Sequence, residues 1–180
     1  MTFEKKILAE MPKCYALGMF EGEDIPSFLA AVEKDGPIRR FTLDGEPLET
    51  VAPGPGGVMT ITQVPGRKDQ FLATRKFFSP NFGGDDAAIA SYTKQADGSW
   101  SEQILCDLPY VHRFGILKAA DGQFWVLACS IKGGAETGVK DDWRTPGAVW
   151  AAPLSDNLEQ YTADNQLKLT CVANYQVQNH

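Results

Sequence analysis

Short apolar runs bounded by turn residues recur along the whole chain, and no stretch keeps the 3.6-residue period of a helix longer than a turn. Three runs share one pattern: Pro26-Ser27-Phe28-Leu29-Ala30-Ala31-Val32, Asp69-Gln70-Phe71-Leu72-Ala73-Thr74-Arg75 and Gln123-Phe124-Trp125-Val126-Leu127-Ala128-Cys129-Ser130. Each reads as a buried strand. Their shared leucines, Leu29, Leu72 and Leu127, recur close to the period of roughly 40–50 residues expected of blade repeats.

The flanking segments repeat as well. An apolar segment precedes each run, at 14–20, 57–64 and 111–117, and two more follow, at 38–43 and 47–51, 88–93 and 100–105, and 148–152 and 167–172. Asp44-Gly45, Asp97-Gly98 and Asp121-Gly122 fall between consecutive runs, where Asp-Gly is a strong hairpin signal. The repeating unit is therefore a four-stranded antiparallel meander, the size of one propeller blade. The fold class expected is all-β, a propeller with about three blades and an incomplete ring in one chain. Blade 1 spans about 14–51, blade 2 about 57–106 and blade 3 about 110–172, with the start of a further blade at 174–180. Lys6-Ile7-Leu8-Ala9 reads as an outer strand for a blade elsewhere in the ring, and the extra residues from Leu154 to Asp164 leave room for one short helical turn.

Propellers typically have four to eight blades, so three do not close. Self-association of two chains, or a missing C-terminal half, would complete the ring. In a meander the connections alternate between the two ends of the blade. One end here carries mostly short hairpins. The other carries the long segments 76–86 and 132–147 and the connections that begin at Ala52 and Asp107. Long loops on a rigid scaffold are where sites usually lie.

Composition refines this picture. The 180 residues carry a net charge of −6, with pI near 4.9, which argues against nucleic acid or an anionic membrane surface as partner. Hydrophobic residues are 43%, enough for a full core, yet no run approaches the length of a membrane helix. The N-terminus shows no secretory signal, and the four cysteines form no CxxC pair, so a reducing cytoplasm is the expected compartment. Glycine-rich 52–57 leads into a strand and matches no phosphate-binding loop.

Candidate chemistry gathers at the long-loop end. His112 and Arg113 open the inner strand of blade 3 beside a loop. His112 reads as a metal ligand, a general base or a structural histidine, and Arg113 as a carboxylate clamp. His180, the only other histidine, would open the next inner strand, so the two together could hold part of a metal site. Asp141 and Asp142 offer paired carboxylates for acid–base work, and Trp143 offers a ring to stack on a sugar. Arg75, Lys76 and Lys132 follow the second strands and could neutralise an anionic substrate or stabilise an enolate, or form only surface ion pairs.

The stretches Gly56-Gly57-Val58-Met59, Phe71 to Asn81, Leu108 to Leu117 and Asp141 to Gly147 resemble a poorly characterised family of bacterial, largely gut-associated, cytoplasmic propeller proteins. The resemblance covers nearly the whole chain and implies that the chain is the N-terminal half of a longer protein. More distantly, it is similar to the propeller of sugar dehydratase/isomerases and to propeller lyases with a central His-bound divalent metal. The expected function is accordingly a metal-dependent lyase, dehydratase or isomerase on a sugar-like substrate. One divalent ion would sit on His112 and His180. Asp141 or Asp142 would act as base, Arg113 and Lys132 would stabilise the enolate, and Arg75, Lys76 and Trp143 would bind substrate. Two alternatives stand beside it: a non-catalytic propeller that binds a ligand or protein partner through the same face, and a truncated fragment without activity.

Overall fold

The computed structural model describes residues 4–79, 83–134 and 142–174. Twelve strands form three separate four-stranded antiparallel sheets, each built from consecutive strands. Blade 1 comprises β1 (Cys14–Glu21), β2 (Pro26–Val32), β3 (Ile38–Thr42) and β4 (Pro47–Ala52). Blade 2 comprises β5 (Ile61–Gln63), β6 (Gln70–Arg75), β7 (Ala88–Lys94) and β8 (Trp100–Asp107). Blade 3 comprises β9 (Val111–Lys118), β10 (Phe124–Lys132), β11 (Pro146–Pro153) and β12 (Thr170–Asn174). A single 3-10 turn, Leu158–Gln160, occupies the inserted stretch before β12, with the Asn157 side chain accepting from the Glu159 amide. The fold is an all-β, incomplete propeller of three blades.

All three Asp-Gly signals mark hairpins. Only the glycines take positive φ (88° at Gly45, 84° at Gly98, 91° at Gly122), so each loop uses Gly for the left-handed residue that lets the strands return. Strand β5 is shorter than its apolar run because a side chain replaces part of the ladder. The buried Thr74 hydroxyl accepts from the amides of Met59 and Thr60 at 2.7 and 3.2 Å. Backbone pairing resumes beyond it, with Lys76 and Phe77 donating to the carbonyls of Gly56 and Gly57.

Alternation along each strand sorts the repeat into two docking faces. Leu29 faces the core between blades 1 and 2, with Phe71 and Ala73 opposite it. Leu72 faces the core between blades 2 and 3, with Val126 and Ala128 opposite it. The blades approach so closely at the inner strands that a Cβ on Gly18 would lie 2.9 Å from Ile61 Cγ2.

The first interface also holds a buried charge. The Arg40 side chain is fully buried; its guanidinium lies over the Phe20 ring at 5.1 Å and donates to Asp24, Glu49, Ser27 Oγ and the Ile25 carbonyl. Glu49 accepts in turn from Lys94 Nζ (2.9 Å) and Trp100 Nε1 (2.8 Å) of blade 2, so the network spans the two blades.

The segment from Lys6 to Ala9 is not a strand. Lys6 Nζ reaches Glu46 Oε1 at 3.0 Å and the Asp44 carbonyl at 3.3 Å, and Leu8 packs on Gly45. The segment therefore crosses the outward face of blade 1, bordering a cavity of about 260 Å³ with Leu17, Phe28 and Phe41. It pairs with none of the described sheet edges, and its few apolar residues settle on the outward face of blade 1 instead. No helix among the described residues is long and apolar enough to cross a membrane.

Candidate functional site

The long-loop end is knitted from blade to blade. Gly57, in the connection between blades 1 and 2, donates to the Lys34 carbonyl of blade 1, and its own carbonyl accepts from Phe77 of blade 2. Its φ of 69° and the 2.3 Å between an added Cβ and Phe77 N leave room for glycine alone. Phe77 packs edge-on to Tyr110, in the connection between blades 2 and 3, at 6.4 Å. Tyr110 itself sits at φ 57°, a strained conformation for a bulky residue. It is held there by its amide on the Gly84 carbonyl (2.7 Å) and its hydroxyl on Asp85 Oδ2 (2.9 Å). Burial, followed by the Asp85 carboxylate, pushes the Tyr110 phenol up to about 12, so it stays a donor at neutral pH.

Lys132 ends β10 against this tyrosine. The residue is fully buried, with its ammonium 4.3 Å from the Tyr110 ring centroid and 5.0 Å from that of Trp143. It also donates to the Asp142 carbonyl at 3.2 Å. Lys132, Asp142 and Trp143, from the two ends of one long connection, are thus brought together. The Asp142 carboxylate is taken up by Arg144, which reaches it through Nε, Nη2 and its amide. Lys132 clamps the loop more than it presents charge to solvent. Lys132→Met keeps the stem but loses the cation–π pair, which is expected to lower stability by about 1–2 kcal/mol. It also releases Trp143, which a red shift in tryptophan emission and easier quenching would report.

The accessible chemistry lies at the axis, where the three inner regions converge. Arg113 projects from β9, its guanidinium 5.0 Å over the Tyr15 ring of β1, with Nη2 donating to the Tyr15 hydroxyl at 3.2 Å and Nη1 to the Met59 carbonyl. His112 lies edge-on between Tyr15 (6.0 Å) and Phe77 (5.3 Å), and its carbonyl accepts from Thr60 Oγ1 at 3.2 Å. Burial, then the neighbouring Arg113 charge, moves the His112 pKa down against the weaker pull of Glu33. Its imidazole is therefore neutral at pH 7, able to accept a proton.

The remaining sequence candidates separate. Arg75 reaches across β7 to pair with Glu102 on β8, which also accepts from the Tyr92 hydroxyl. Lys76 occupies a left-handed turn (φ 59°) just after β6, with its amide on Gly56. Asp141 and His180 lie outside the described residues. Among the described residues no group of three or more His, Cys, Asp or Glu is placed to hold a metal ion, and His112 is the one imidazole there. Tyr15, Phe77, Asp85 and Tyr110 complete the cluster. Tyr110 and Phe77 lay within segments marked as long connections, but only tertiary packing reveals that their rings adjoin His112 and Lys132.

No protein-family model matches the chain, and no curated protein matches it. Among solved structures it is similar to Kuenenia stuttgartiensis hydrazine synthase, with a TM-score of 0.52 and 10% sequence identity over 87% of this chain and 41% of that one. At that identity the likeness speaks to the fold alone, and the chain spans about 41% of the length of its structural neighbour.

Proposed function

We propose that the axial end of the long-loop face binds a small sugar-like ligand carrying a carboxylate or carbonyl, and that the site removes a proton next to that group. The observation that carries this reading is the pairing of a neutral imidazole, His112, with the Arg113 guanidinium beside an exposed tyrosine. Two of the five guanidinium N–H groups engage Met59 and Tyr15. The fork is thereby oriented for bidentate contact with a planar anion. His112 takes the α-proton, and Arg113 stabilises the negative charge on the enolate oxygen. In an elimination the β C–O bond then breaks and the departing oxygen takes a proton; in an isomerisation the proton returns to the neighbouring carbon. A divalent ion beside His112 would add Lewis-acid stabilisation of the enolate, with the imidazole then a ligand and another group as base; His180 is the candidate second ligand.

A second reading, binding without chemistry, is favoured by the way Arg113 ties Tyr15 of blade 1 to Met59 next to blade 2. Both readings are tested by titrating a hexuronate into the protein in deuterated buffer and following the proton NMR spectrum. A shift of the His112 ring resonances with loss of the ligand α-proton signal is expected. A shift without exchange selects binding alone, and neither change at millimolar hexuronate overturns the assignment of the site.

A further inference from the structure

The two internal blade interfaces are the same interface made twice. In each, the shared leucine of one blade (Leu29, then Leu72) meets the residues flanking the shared leucine of the next (Phe71 and Ala73, then Val126 and Ala128). The third leucine, Leu127, has the same position in blade 3, but no blade among the described residues lies against its face. Leu117 and Trp125 are cross-strand neighbours on that face and are 53% and 37% exposed. Leu127 and Cys129 continue it towards the long-loop end, half-buried. At the opposite end of the chain, Phe28 and Ala30 are the counterparts of Phe71 and Ala73. Beside them, Leu17 and Met19 pair with Ala30 and Phe28 and are 69% and 64% exposed.

We propose that blade 3 of one copy docks on blade 1 of a second copy, head to tail, and that the same contact made twice closes a ring of two chains. The occupant is specified by continuity with the established interface: blade 3 offers the face that receives a Phe-x-Ala strand, and blade 1 carries Phe28-x-Ala30 on its outward face, where Leu17 and Met19 are exposed and Ala30 is buried beside the Lys6–Ala9 segment. Two different faces that meet head to tail form either a closed ring or an open fibre. Three blades per chain and two chains make six blades, within the four to eight typical of propellers. The Lys6–Ala9 segment, lying on blade 1 with Ile7 exposed, would be trapped in the joint. The proposal is independent of what the axial site binds.

The test is native mass spectrometry and light scattering on the full 180-residue chain at micromolar concentration, with the single variants Trp125→Glu and Leu17→Glu. The wild type is expected at twice the chain mass of 19.7 kDa, and each variant as a monomer with an unchanged circular dichroism spectrum. An equimolar mixture of the two variants is expected to regain dimer, because one of its two joints then pairs two unaltered faces. A monomeric wild type overturns the proposal and leaves the faces to a continuation of the chain or another protein. A dimer that survives both substitutions, or a mixture that stays monomeric, overturns the head-to-tail arrangement. Should either variant misfold, Leu117→Ser and Met19→Glu probe the same two faces.

Discussion

Arg40→Ala is expected to destabilise the chain by about 3 kcal/mol, the low end for breaking a buried ion pair, because it removes a fully buried guanidinium while its carboxylate partners keep Lys94 or solvent. Arg40 donates to two carboxylates, a hydroxyl and a carbonyl from a side chain with no exposure, so none of its acceptors keeps that partner after truncation. Glu49 retains Lys94 and Trp100, which limits the damage. Urea unfolding monitored by tryptophan emission would read the loss, since Trp100 sits in the network. A wild-type midpoint in the variant would show that the desolvation cost of the guanidinium already cancels its bonds. The same network makes an acid prediction. The hydrogen bond from Arg40 holds the Asp24 carboxyl far below its usual range. Burial raises the Glu49 carboxyl, but donation from Lys94, Trp100 and Arg40 outweighs that effect and leaves it lowered. Carboxyls depressed in the folded state contribute their stability above their unfolded pKa, near 4. That stability drains away as pH falls below this value, because the unfolded chain takes up protons first. Asp24 is half exposed, so solvent screening keeps its share small. In Arg40→Ala the acid slope should flatten.

His112→Gln is expected to slow solvent exchange of the ligand α-proton by about 10²–10⁴-fold, the range of a lost general base. The amide retains hydrogen-bonding capacity and much of the ring's volume, so melting should change little. The pH profile discriminates catalysis from packing. With the His112 pKa lowered by burial and by Arg113, the wild-type rate should climb with pH through a value below 6.5 and then level off. Arg113→Lys keeps a positive charge beside the Tyr15 ring but removes the fork; it should weaken hexuronate binding while the pH midpoint stays low. An undiminished exchange rate in His112→Gln would remove the imidazole from the mechanism and return it to a packing role between Tyr15 and Phe77.

The blades were legible because their signals are local. The short apolar runs and the three Asp-Gly turns each depend on residues within a few positions of one another, the leucine repeat only reiterates them, and the structure places strands on all twelve segments. What escaped was tertiary. Arg40 lies in a short run with no feature that marks it; its burial follows from facing blade 2, which its own strand does not disclose. Thr74 shortened β5 by offering its hydroxyl to two amides, a substitution with no period. At the site, His112, Arg113, Lys132 and Trp143 were nameable from their places at strand ends on the loop face. Arg75 had the same address, yet Glu102, two strands away, draws it outward. Tyr110 carried only the weak mark of following Leu108-Pro109, and its left-handed backbone and buried ring arise from Gly84, Asp85 and Lys132 closing round it.

The interface built twice within the chain also bears on how the chain reaches its fold. Every sheet is assembled from neighbours in sequence, so each meander can form while the next is still being synthesised, without waiting for distant strands. The leucine face is different: Leu29 stays wet until Phe71 arrives, and Leu72 until Val126 does. Each newly made blade is thus sticky on its leading side for the time the ribosome needs to deliver its successor.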